Sequence, residues 1–348
     1  MREARSRSPL AVEGREVEIR LAAVGDVMFG RYDGARRYRP LRVKQPFAKV
    51  SHLWKRHDIV MCNLETPITS RLLRKPYRSL LFRAAPRTAK VLRDAGFTVA
   101  VTANNHGHDQ GDRGTAETID HLAAAGLGIS GTGKTLASAW APYVLIKRGV
   151  KVAVLSVTIL RNFPVHEQVG FMAFIRRRDA TRELPKRVRA IRGAYDFLVL
   201  NLHFGAEYKD VVYRWDQRLM DRLQAAGVDV VFGHHPHVLR AVERRKGMAI
   251  FYSLGNFLFD FGMRNTVHSG VAQVTLVKQG RRRSLRRMRF VPVWRHWTGR
   301  PEPATGHRGG RVRRALWQTT HSLRLPNRFV TRGESVDIEL GPHARVGQ

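Results

Sequence analysis

The stretch VDVVFGHHPH (228–237) sets an apolar run, Val228 to Phe232, directly before three histidines. Such a run, opened by Gly227 and rich in β-branched residues, reads as a buried strand whose polar end delivers imidazoles to the edge of a sheet. Working outward, the arrangement recurs. Phe197 to Leu202 is a strand ending at His203, followed by a helix with Trp215, Leu219, Leu223 and Ala226 on one face. Val17, Ile19 and Leu21 alternate, run into Ala22–Val24 and end at Gly25-Asp26. Ile59 to Cys62 ends at Asn63-Leu64-Glu65, and Phe97 to Val101 ends at the polar loop TANNHGHDQGD (102–112). Strands alternating with helices give an α/β class.

The remaining elements are weaker. Pro86 opens a helix stopped by Gly96, and a second runs from about Thr115 to Ala125. Tyr143–Ile146 and Val152–Val157 flank Arg148-Gly149 as a hairpin, and further strands are expected at 249–254, 270–277 and 288–294. Residues 161–192 read as a basic, irregular insert. The expected organisation is a polar N-terminal segment (1–16), one main domain (17–295) and a basic, loosely ordered tail (296–348).

Composition narrows the class. No run approaches the roughly 20 apolar residues of a membrane span. The N-terminus MREARSRSPLAVEG lacks the apolar body of a secretory signal, so a cytoplasmic setting is expected, with peripheral membrane contact compatible with the charge. A lone cysteine, Cys62, excludes an intramolecular disulfide and a cysteine-rich zinc site, and reads as a small buried residue. With 62 Lys+Arg against 28 acidic residues the formal charge is +34, a field that attracts anions, densest at RRRSLRRMR (281–289). Its spread along the chain points to an anionic substrate or polymer and to no specific nucleic acid.

Asp26, Glu65, Asn105-His106, His203 and His235/His237 each stand at or just past a strand's C-terminal end, where open α/β sheets bind ligands. A single histidine so placed is ordinarily structural; carboxylate, carboxamide and imidazole converging from five strand ends predict a shared metal site. A donor set without thiolate suits one or two divalent transition metals, Mn, Zn or Fe.

The segments GDVMFGR (25–31), CNLETPIT (62–69), TANNHGHDQG (102–111), LHFGAEY (202–208), GHHPHVLRAVE (233–243) and YSLGNFLFD (252–260) resemble, in order and spacing, the CapA-like poly-γ-glutamate capsule-biosynthesis proteins. These are relatives of the calcineurin-like metallophosphoesterases. The resemblance implies a metallophosphatase-like four-layer αββα sandwich, with mixed sheets flanked by helices. It implies Asp26, Glu65, Asn105, His203, His235 and His237 as metal ligands, His106 as general acid and Glu207 as an extra base or ligand. Arg31, Asn104, His234 and Asn256 would then meet substrate. The implied activity is phosphoesterase-like, in the synthesis of an anionic capsule polymer together with other capsule-synthesis components.

Two rivals stand beside it. A non-catalytic assembly factor would hold polyanion on its basic surface around a vestigial metal site. GISGTGKT (128–135) also satisfies the P-loop pattern, but only Leu127 and Ile129 precede its glycines and Pro142 interrupts the helix that should follow.

Overall fold

The computed structural model describes residues 14–32, 38–71, 80–162, 172–260 and 263–340. Two sheets dominate. The first has ten strands and runs, in order, Asn327–Arg332, Ser335–Leu340, Arg282–Arg295, His268–Gln279, Val17–Val27, Ile59–Leu64, Val99–Val101 and Gly128–Ser130, with Asn256–Leu258 beside Val17–Val27 and Pro301–Pro303 beside Arg282–Arg295. The second has six: Val242–Arg245, Met248–Phe251, Val230–His234, Phe197–His203, Val150–Thr158 and Tyr143–Lys147. Tyr38–Pro40, Gly30–Tyr32 and Leu81–Phe82 form a small third sheet.

Alternation along the strands explains why the sheets face each other. Ile19, Leu21 and Ala23 join Ile59, Met61, Val152, Val154, Phe197, Val199, Val230 and Phe232 in one core between the sheets. Their neighbours in sequence point the other way. Ala22, Val24, Val60 and Ala100 pack outward with Leu92 and Leu122 of helices Thr88–Asp94 and Gly111–Ala124. Ala153, Leu155, Leu198 and Val231 pack outward with Leu184, Val188, Leu219 and Leu223 of helices Arg177–Arg192 and Arg214–Ala225. Period-two strands between two helix layers make the expected αββα sandwich.

Two expectations are corrected. The insert at 161–192 is not irregular throughout: 177–192 is a sixteen-residue helix burying Ala180, Leu184 and Val188, while 163–171 lies outside the described residues. The basic tail is not loose. Helix Gly306–His321 places Val312 and Leu316 in the inter-sheet core, and hairpin Asn327–Arg332/Ser335–Leu340 extends the first sheet through Phe290↔Val336 and Arg289↔Asp337. Its arginines masked a helix whose apolar positions are few but correctly spaced. Of the polar N-terminal segment, residues 1–13 are outside the described region, as are 341–348. No helix among the described residues is long and apolar enough to cross a membrane.

The P-loop pattern is accidental in its setting. Thr135 caps a helix of only five residues, Leu136–Trp140, and Lys134 pairs with Asp120 at the surface (2.7 Å).

Candidate metal centre

Both sheets present their parallel strands' C-terminal ends to one crest. Asp26 ends Val17–Val27, Glu65 follows Ile59–Leu64, and residues 104–106 turn after Val99–Val101. From the second sheet, His203 and His234 end adjacent strands in register, with His235 and His237 just beyond. Gly25 allows the close approach that places Asp26: a Cβ there would lie 1.9 Å from the Gly255 carbonyl oxygen. His235 (φ 97°) and His237 (φ 60°) hold the left-handed conformation that L-residues seldom adopt, a strain typical of functional turns.

Three groups of side chains offer ligand atoms that lie within 4.8 Å of one another: Glu65, His203 and His235; Asp26, Glu65 and His237; and Glu207, His235 and His237. Glu65 is shared by the first two. Asn105 joins the first, its Oδ1 2.8 Å from His203 Nε2. All are buried except Glu207, which stands exposed at the rim.

The electrostatics suit a cation. Glu65 is fully buried, and among the described residues neither carboxylate oxygen has a hydrogen-bond partner. Burial first, then repulsion from Asp26, Glu207 and Asp109, raises its pKa well above the ordinary range. Burial also raises Asp26, but His234 (3.4 Å) and His237 (3.3 Å) outweigh it and hold that carboxyl well below the usual value. Burial, reinforced by neighbouring histidines, depresses His203 strongly and brings His235 to about 3. Neutral imidazoles beside an uncompensated buried carboxylate are the state in which side chains ligate metal. His235 Nδ1 is likewise without a partner. The residues fit a divalent metal.

Surrounding groups orient the set. Asn63 Nδ2 donates to Asp26 Oδ1 (2.8 Å) and lies 3.4 Å from His203 Nδ1. His106 Nδ1 is 2.7 Å from Asp109 Oδ2, and its ring stacks on Phe82 at 3.7 Å. Asp109 also accepts from the Phe82 backbone (2.6 Å). Asn162 Nδ2 lies 3.4 Å from His106 Nε2, and Asn162 Oδ1 accepts from Asn105 Nδ2 (3.2 Å).

Three residues expected to meet substrate make contacts within the site. Asn104 is buried and donates to Asn63 Oδ1 and the Leu64 carbonyl while accepting from His106 N, which uses both ends of its carboxamide. His234 lies behind Asp26, with Nε2 3.4 Å from Asn201 Oδ1, and belongs to none of the three groups. Asn256 Oδ1 meets His237 Nδ1 at 2.8 Å and so aims that ring. Arg31 is paired with Asp260 (2.9 Å) on the strand beside Phe82. Cys62 is buried, which raises its thiol pKa and disfavours the nucleophilic form.

Asn63, Asp109, Asn162 and Phe82 are the participants that strand-end reasoning does not reach. The i,i+3 spacing of His106 and Asp109 was a usable signal; Asn162, on a loop far away in sequence, carried none.

Residues 20–261 match the family described as "Bacterial capsule synthesis protein PGA_cap". The chain is 32% identical over 285 residues to the capsule biosynthesis protein CapA of Bacillus anthracis, spanning 79% of this chain and 68% of that protein. It is 31% identical over 266 residues to the PGA biosynthesis protein CapA of Bacillus subtilis, spanning 74% and 67%. A probable polyglutamine synthesis accessory protein of Mycobacterium tuberculosis is 27% identical over 213 residues, 59% of this chain and 56% of that one.

Proposed function

The chain belongs to the bacterial capsule synthesis family PGA_cap, and from that premise we propose that it is a metal-dependent phosphoesterase-like enzyme of anionic, poly-γ-glutamate-type polymer synthesis. The observation that carries this reading is Glu65, a carboxylate fully buried with both oxygens unpartnered amid His203, His235, Asp26 and His237. An isolated buried carboxylate costs several kcal/mol or more, and a cation removes that penalty.

His203, His235 and Asn105 would hold metal on one side of Glu65, and Asp26 and His237 on the other, with Glu207 an additional ligand or base at the rim. Bound there, divalent Mn, Zn or Fe supplies Lewis acidity for the oxygen on which negative charge develops. The chain does the rest. Asp109 accepts from His106 Nδ1–H and fixes the ring's orientation, and a second proton taken up from solvent on Nε2 would then pass to the departing oxygen. Phe82 fixes the plane of that ring. Arg31, anchored by Asp260 and cross-strand from Phe82, supplies the contact to an anionic substrate group.

Met28 favours the second reading, a polyanion-holding assembly factor. Two residues past Asp26, it offers no ligand and is buried against Phe82 and Phe259. A panel of small phosphoesters assayed with Mn, Zn or Fe separates the two. Metal-dependent turnover is expected; normal metal content with no turnover on any substrate would favour the assembly factor.

A further inference from the structure

We propose that the arginine-lined groove on the outer face of the first sheet is a second anion site, remote from the metal centre, that holds an extended polycarboxylate chain. Helices Thr88–Asp94 and Gly111–Ala124 pack over the parallel strands of this face. Where its antiparallel strands run away from the crest, the same face carries polar side chains. Arg20 stands opposite Thr275, Thr275 opposite Arg287, Gln273 opposite Arg289, and Arg289 opposite Asp337. Gln273 donates to the Leu53 carbonyl (2.8 Å), where the covering segment ends.

The resulting groove, about 800 Å³, is lined by Arg20, Arg56, Arg244, Arg286, Arg287, Arg289 and Arg332 against Glu18, Asp337 and Glu339. It adjoins a second hollow of about 560 Å³ that adds Arg15 and Arg148 together with Glu16 and Asp58. The two share Glu18, Arg20 and Arg56 and form one basic track. Arg20 lies six residues before Asp26, about 20 Å along the strand, so the track and the metal centre occupy opposite ends of the sheet.

Two observations identify the ligand chemistry. A carboxylate already sits here: Asp337 accepts from Arg287 (2.9 Å), Arg289 (2.6 Å) and Arg332 (3.0 Å), three guanidiniums on one acid. Their remaining N–H groups, with exposed Arg56, for which the described residues offer no partner, suit further carboxylates in bidentate geometry. The lining holds no Phe, Tyr or Trp on which a nucleobase could stack, and His57 is its one aromatic ring. A ladder of carboxylates fits this lining better than a nucleic acid. The biological source of such a polymer rests on the proposed capsule role; the groove's chemistry does not.

Fluorescence anisotropy with labelled poly-glutamate, set against a single-stranded oligonucleotide of matched charge, tests the assignment. Arg56→Gln/Arg287→Gln should weaken poly-glutamate binding about tenfold, and Arg56→Gln alone about threefold. Arg178→Gln/Arg182→Gln, on an exposed helix elsewhere, should change it by less than about twofold. Equal loss in the control pair, preference for the oligonucleotide, or absence of poly-glutamate binding by the unaltered protein would overturn the proposal. Metal content and small-phosphoester turnover of the groove variants should match the unaltered protein, so failure of the groove and failure of the metal-centre reading are told apart.

Discussion

His106 is fixed by Asp109 at 2.7 Å and by Phe82 stacked at 3.7 Å, and it belongs to none of the groups at ligand distance. A general acid so held is typically worth ~10²–10⁴-fold in rate. His106→Asn should therefore lower kcat within that range while bound metal, measured by elemental analysis, stays constant; loss of metal would make His106 a ligand. Asp109→Asn should lower kcat while leaving KM near its starting value, because Asp109 acts through His106. The candidate ligands were readable one by one because each follows an apolar run. The residues that aim them were not: Asn63 sits inside its strand, and Asn104 and Asn256 look like substrate-facing amides until their hydrogen bonds are traced.

The C-terminal hairpin shows what an element's charge conceals. The arginines beyond residue 296 suggested a loosely ordered tail, yet Arg332 of that segment converges with Arg287 and Arg289 on Asp337, which ties the hairpin to the first sheet. Burial raises the Asp337 carboxyl, but the hydrogen bonds and charge of Arg289 and Arg287 outweigh it and bring the pKa to about 2. A depressed acid stabilises the fold above its unfolded pKa near 3.9, and that contribution is lost as pH falls from about 4 through 2. Asp337→Asn should cost about 1–2 kcal/mol at pH 7, allowing for half-exposed partners, and should flatten the denaturation curve in that window. An unchanged acid limb would show that the arginines contribute nothing there. At the other end of the sheet, Gly25→Ala would drive a methyl into the Gly255 carbonyl, costing about 3 kcal/mol and lowering bound metal.

Across the molecule, the α/β class was legible in the apolar runs that end in polar loops, whereas the sandwich was implied by the family resemblance, and period-two alternation in the central strands explains why it needs two covers. Its closure was not, since that depends on contacts between distant segments. Helix Gly306–His321 inserts Val312 and Leu316 between the sheets, and the hydroxyl of Thr320 accepts from Val242 N (3.0 Å) on the second sheet's edge strand. Asn327 binds both backbone groups of Arg244 on the same strand (3.1 and 3.0 Å). The C-terminal segment therefore ties the two sheets to each other. Ending the chain after residue 300 should abolish cooperative unfolding, and Leu316→Ala should cost about 2–4 kcal/mol in denaturant melts.

The central claim is that Glu65 is buried without hydrogen bonds because it holds metal, and paired thermal melts with metal titration address it most directly. The metal-free protein should take up about one to two equivalents of Mn, Zn or Fe, and its melting temperature should rise. Glu65→Gln should melt at or above the unaltered protein when both are metal-free, because burial and the neighbouring acids already push the Glu65 carboxyl toward its neutral form, yet gain little on metal addition. Absence of any metal-induced shift in the unaltered protein, with Glu65→Gln melting lower under all conditions, would contradict the account.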